Sequence, residues 1–183
     1  MSKIDRLLHS YSRFIAVPWR YDTAAAQRVV FCVYDKQDEL RLRARIDEFE
    51  MQTRQAEHDW VIFDLTNTFA DWLCRQRYAR SYFQKPSLLP TLLNNYLDYI
   101  TEAFDRLLRD HAAHEGMVVA LKGVGTLFGF LKVKEAVDHL APRVSGKLLI
   151  FFPGSYEKNN YRLLDGYDGW NYLAVPITAD KDI

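Results

Sequence analysis

Apolar positions along this chain follow two rhythms. Ile4, Leu7, Leu8, Tyr11 and Phe14/Ile15 recur every three or four residues, which is the spacing of one helix face. Ser2 is placed to cap that helix and Pro18 to end it. Residues 28–34, 60–65, 117–121 and 147–152 are instead almost continuously apolar. Runs this short predict strands covered on both faces, as in a parallel sheet. Helical spacing returns between them. Leu42, Ile46, Phe49 and Thr53 predict a helix from about residue 37 to 57. Thr66, Asn67 and Thr68 are cap candidates for a helix carrying Phe69, Trp72 and Leu73. A long helix from about 92 to 114 carries Leu93, Leu97, Ile100, Phe104, Leu107, Leu108 and His111 on its buried stripe, with Gly116 to end it. A further helix, after the glycines at 123 and 125, carries Leu127, Leu131, Ala136, Val137 and Leu140 and closes at Pro142. Residues 75 to 90 predict an irregular or short helical connection punctuated by Pro86 and Pro90. Pro153-Gly154 ends the 147–152 strand, a loop spans 155 to 169, and residues 172–175 form a last short strand.

Strands alternating with helices predict one α/β domain over residues 1–183, three-layered, with a mainly parallel sheet of four or five strands and a polar tail from about residue 178. Of the 183 residues, 49% are apolar, enough for a real core. The 24 basic and 24 acidic side chains cancel, which argues against a nucleic-acid binder relying on bulk charge. No apolar stretch approaches the roughly 18 residues of a membrane span, and the first residues lack a signal core. Cys32 and Cys74 both lie in apolar segments and predict buried free thiols in a cytoplasmic protein.

Candidate chemistry gathers at the predicted strand ends. Asp35 and Asp64 each follow a strand and can face one crevice, where paired carboxylates bind a metal or exchange protons; the alternative is that each orients the following helix. Lys122, Gly123, Gly125 and Thr126 follow the third strand, with Thr126 placed to cap the next helix. A phosphate loop needs lysine after the second glycine of Gly-x4-Gly, but Phe128, Gly129 and Phe130 stand at the last three motif positions counted from Gly123. His111 and His114 match neither helical zinc-protease order. The locally basic stretch of Arg75, Arg77, Arg80 and Lys85 interleaves with Tyr78, Tyr82 and Phe83. That pattern suits a protein interface, base stacking with phosphate contacts, or a solvated helix face over core aromatics. The 155–169 loop offers Tyr156, Tyr161, Arg162 and Tyr167, with Trp170 beside it, as aromatic anchors with a polar rim.

Several segments, in order, carry a resemblance to a known family. They are Tyr34-Asp35 with Asp38-Glu39-Leu40 and Arg43, then Asp64-Leu65-Thr66, then Gly123-Val-Gly-Thr-Leu-Phe128. Phe152-Pro-Gly-Ser-Tyr-Glu157, Asn160-Tyr-Arg-Leu-Leu-Asp-Gly166 and Asp168-Gly-Trp-Asn-Tyr-Leu-Ala-Val-Pro-Ile177 complete the set. Over nearly its whole length the chain resembles the BrxB family of BREX phage-exclusion systems. The resemblance implies a small subunit without an established catalytic motif, working beside a PglZ-like phosphatase-domain protein, a BrxC-like ATPase and a DNA methyltransferase. The expected role is a non-catalytic scaffold or adaptor with no cofactor and no metal. The alternative is a degenerate nucleotide- or nucleic-acid-binding module of the same assembly. A hydrolase using Asp35 and Asp64 is a third, weaker expectation.

Overall fold

The continuous apolar runs become the middle of the sheet. A computed structural model describes residues 1–166 and 169–180, with the following order of strands and helices. Helix α1 (Lys3–Ile15) precedes β1 (Val29–Tyr34), α2 (Glu39–Arg43), α3 (Ile46–Gln55) and β2 (Asp59–Asp64). Then come α4 (Thr68–Cys74), α5 (Ala79–Gln84), α6 (Leu93–Asp110) and β3 (Met117–Lys122). The chain closes with α7 (Val133–Leu140), β4 (Lys147–Glu157), β5 (Asn160–Leu163), β6 (Trp170–Asn171) and β7 (Val175–Ile177).

The sheet has seven strands and is mixed, where four or five mainly parallel strands were expected. Strands β2, β3, β4, β1 and β7 lie side by side in that order with parallel pairing, and β5 and β6 add an antiparallel arm to the far end of β4. Side chains alternate across the pleat. Val30, Cys32, Val118, Ala120, Leu149 and Phe151 pack under α1 and α3, while Val29, Phe31, Val119, Leu121, Ile150 and Phe152 pack under α4, α6 and α7. Helices on both faces explain why these strands read as unbroken apolar runs.

The Ser2 cap forms as a capping box: Asp5 N–H donates to the Ser2 hydroxyl at 3.1 Å, and Ser2 N–H donates back to Asp5 at 2.6 Å. Other boundaries differ from the sequence pattern. The predicted 37–57 helix is two helices broken at Ala44–Arg45, although Leu42, Ile46, Phe49 and Thr53 are all buried as expected. None of Thr66, Asn67 or Thr68 caps α4 with its side chain; Thr68 instead donates to the Leu65 carbonyl at 2.8 Å. Helix α6 ends at Asp110, before Gly116, and Ala112 takes the left-handed turn that follows. His111 is therefore exposed rather than part of the buried stripe. Cys32 is buried, and burial pushes its thiol up; Cys74 is exposed, against expectation.

Strand β4 does not stop at Pro153-Gly154. It runs on to Glu157 and turns through Lys158 and Asn159, both at positive φ (48° and 67°), into β5. Two consecutive left-handed residues match the twist of a tight antiparallel hairpin. The predicted 155–169 loop is thus largely a β-arm. Tyr167 and Asp168, counted with that loop and with the family-like ending, lie outside the described residues.

Candidate functional site

Local turns at the carboxyl ends of β1, β2 and β3 bring the singled-out polar residues into one chain of contacts. A one-turn 3-10 helix, Lys36–Asp38, leads from β1 into α2, where the i, i+4 spacing sets Glu39 and Arg43 one turn apart on the same face. The Tyr34 hydroxyl donates to Glu39, whose second oxygen accepts from Arg43 Nε at 2.6 Å. Arg43 then donates to Thr66 Oγ1 at 3.2 Å. Thr66 N–H donates to Asp64 Oδ1 at 2.9 Å, and Lys122 Nζ lies 3.1 Å from Asp64 Oδ2. Thr126 completes the set by donating from its hydroxyl to the Thr66 carbonyl at 3.1 Å.

Gly123 makes the close fit possible. Its φ is +77°, and a Cβ there would lie 2.6 Å from Thr66 Oγ1 and 2.7 Å from Thr66 N. Gly125 has no such constraint, since its nearest neighbour to a built Cβ is Pro153 Cγ at 3.9 Å. Thr126 does not cap a helix. A one-turn 3-10 helix spans Val124–Leu127, and α7 begins only at Val133. The Thr126 and Phe128 amides donate within this turn, to the carbonyls of Gly123 and Gly125. The glycines therefore do not open an α-helix whose amino end faces them, the arrangement that holds phosphate in nucleotide folds.

The electrostatics follow from these contacts. Partial burial raises the Asp64 carboxyl, but the Thr66 hydrogen bonds and Lys122 outweigh it and hold the group below its ordinary value. Burial, then the Glu39 hydrogen bond and charge, push the Tyr34 phenol up, so it stays a donor. The Glu39 hydrogen bond raises Arg43 further. The strand-end groups thus form a brace of mutually satisfied charges linking β1, β2 and β3.

Asp35 does not share a crevice with Asp64. Their strands are separated by β3 and β4, three spacings or roughly 14 Å. Asp35 instead accepts from Gln37 N–H at 3.0 Å and lies 3.8 Å from Lys3 Nζ. It borders a separate cavity of about 300 Å³ shared with Asp38, Ser155 and Tyr156. Among the described residues no group of three or more His, Cys, Asp or Glu side chains is arranged to hold a metal. His114 pairs with Asp59 at 2.8 Å, while His111 lies near the Leu107 carbonyl.

The basic stretch has a different character. From residue 74 to residue 95 no side chain is fully buried, although Leu73 and Tyr96 on either side are in the core. Arg75, Arg77 and Arg80 are exposed, and Tyr78 and Phe83 are 58% and 60% exposed. Arg75 lies over the Tyr99 ring at 5.5 Å and Arg77 over the Tyr78 ring at 5.4 Å. Tyr82 is half-buried and packs on the core, so it is a support rather than a contact.

The β-arm corrects another expectation. Tyr161 is fully buried, its ring 4.5 Å from Phe31 and 5.3 Å from Trp170, so it is core. Tyr156 pairs across the hairpin with Tyr161 and donates to Asn159 at 2.9 Å. Arg162 points to solvent beside Asp35, Ser155 and Asp165. Glu39 and Arg43 complete the brace; their i, i+4 spacing is the sequence signal for that pair.

Fold and site together define the class: a mixed-sheet α/β protein with a braced set of strand ends and an exposed, basic helical excursion. The family model for the BREX protein BrxB matches residues 63–176, and the chain belongs to that family. The matched span holds Asp64, the glycine turn, the excursion and the β-arm, whereas Tyr34, Glu39 and Arg43 precede it. No curated protein and no solved structure matches the chain. Family membership implies a role in BREX phage defence. Among the described residues no helix is long and apolar enough to cross a membrane.

Proposed function

We propose that this chain is a non-catalytic adaptor of a BREX anti-phage assembly that binds larger companion proteins. The observation that carries the reading is the excursion at 74–95, which exposes aromatic and arginine side chains and buries none. Arginine and tyrosine dominate interface hot spots. The brace supports the same reading from the other side. Asp64, Glu39 and Arg43 are engaged with one another and with Lys122, Thr66 and Tyr34, so they serve as ties between strands. A general base instead needs a free position beside a substrate proton. The companions expected from the family resemblance are a PglZ-like phosphatase-domain protein and a BrxC-like ATPase.

Affinity capture from cells carrying the rest of the system tests this. The tagged chain is expected to retain one of those two companions, and the purified chain to hydrolyse neither ATP nor DNA. Turnover by the chain alone that disappears in Asp64→Asn would replace the adaptor with a hydrolase. The second reading, a nucleic-acid-binding module, draws on the cations and aromatics of the same excursion. It requires DNA binding that weakens steeply with salt.

A further inference from the structure

We infer that residues 75–88 dock against an acidic protein surface that also offers apolar side chains; this rests on the adaptor reading and names the chemistry of its partner. The first ground is charge. Between Asp71 and Asp98 the chain has Arg75, Arg77, Arg80 and Lys85 and no acidic residue at all. The other 20 cations therefore face all 24 acids, so the segment is set against a net negative remainder of the molecule. None of these four cations has a carboxylate partner among the described residues. Several surface arginines elsewhere are paired, among them Arg41 with Asp38, Arg45 with Asp5 and Glu48, Arg54 with Glu50, and Arg143 with Asp105, whereas the exposed Arg106, Arg109 and Arg162, like the four cations of the excursion, have no carboxylate partner among the described residues. The excursion leaves its own cations for carboxylates from outside.

The second ground is the apolar content of the same segment. Tyr78, Phe83 and Leu88 are large, exposed and within eleven positions of one another. Leucine gives nothing to a phosphate backbone but buries well against apolar side chains. Pro86 and Pro90 and the intervening 3-10 turns restrict the backbone, which lowers the ordering cost of binding. Arg77 is already laid over Tyr78, which restrains it further. A duplex would meet only four cations on a molecule whose remaining surface is net negative, a weak polyelectrolyte contact. An acidic protein face of matching size meets the cations at the rim and the aromatics at the centre.

The test uses the full-length chain and, as probe, the BREX component it retains in affinity capture, with binding kinetics followed at low and physiological salt. Arg77→Glu with Arg80→Glu is expected to slow association about tenfold and flatten its salt dependence. Tyr78→Ala with Phe83→Ala is expected to speed dissociation by about tenfold or more. Arg77→Lys with Arg80→Lys keeps the charge and is expected to keep the association rate. None of these side chains is buried, so the thermal midpoints of the variants are expected to match that of the parent. Companion binding unchanged in both the reversed and the aromatic variants would overturn this docking face and leave the adaptor standing. Capture of no companion would overturn both. Salt-dependent DNA binding lost on charge reversal, with companion kinetics untouched, would assign the face to nucleic acid.

Discussion

Replacing three glycines by alanine one at a time separates backbone strain from steric clash. Gly129 has φ +82° and nothing within 4 Å of a built Cβ, so Gly129→Ala meets strain alone, about 1–2 kcal/mol. Gly123 has φ +77° and in addition places the new methyl 2.7 Å from Thr66 N and 2.6 Å from Thr66 Oγ1. Backbone nitrogen cannot swing aside like a flexible side chain. Thr66 must move, and its N–H bond to Asp64 and its hydroxyl contact with Arg43 go with it. A hydrogen bond to a charged group is worth about 1.5–3 kcal/mol, so Gly123→Ala is expected to cost about 3 kcal/mol or more in all. Gly125 has neither feature, and Gly125→Ala is expected to lie within about 0.5 kcal/mol of the parent. Urea unfolding of the three variants, at an unchanged denaturant slope, gives the comparison. Equal costs for Gly123→Ala and Gly129→Ala would refute the clash, and with it the claim that the β3 turn seats on Thr66.

Two further expectations concern the corrected residues. Tyr161→Ala should destabilise by about 3–5 kcal/mol because the ring is fully buried, whereas Tyr161→Phe loses only a 3.5 Å contact with the Ala174 carbonyl and should be nearly neutral; unfolding of both shows it, and a harmless Tyr161→Ala would return the residue to the surface. Asp64 has its folded pKa lowered, so its stabilisation is present above the ordinary carboxylate value near 3.9 and is lost as pH falls through the lowered folded value. Asp64→Asn should therefore cost under about 1 kcal/mol at neutral pH, given its partial exposure, and the gap to the parent should close in acid; a gap that widens in acid contradicts the brace.

The centre of the sheet was legible because burial on both faces leaves an unmistakable apolar run, as at Val29–Tyr34 and Met117–Lys122. The antiparallel arm was not. Pro153-Gly154 reads as a strand end, and the Lys158-Asn159 turn lacks the glycine that usually announces a tight hairpin. A loop in place of that arm makes Tyr161 a surface anchor, although its ring fills space beside Phe31. At the candidate site the strand-end residues were visible one by one, but sequence spacing carries no strand order. Asp35 and Asp64 are equivalent in the sequence pattern, whereas β3 and β4 lie between their strands. Exposure along the excursion was legible only in part. Cation and aromatic content marks the segment, while the tertiary packing decides that Tyr82 turns inward and Phe83 outward.

Calorimetric titration of the purified chain with its captured BREX companion tests the adaptor most directly. The expected result is saturable binding by the parent, retained by Asp64→Asn and weakened about thirtyfold, near 2 kcal/mol, by Tyr78→Ala with Phe83→Ala. No heat of binding from the parent, together with ATP or DNA turnover that Asp64→Asn abolishes, would contradict it.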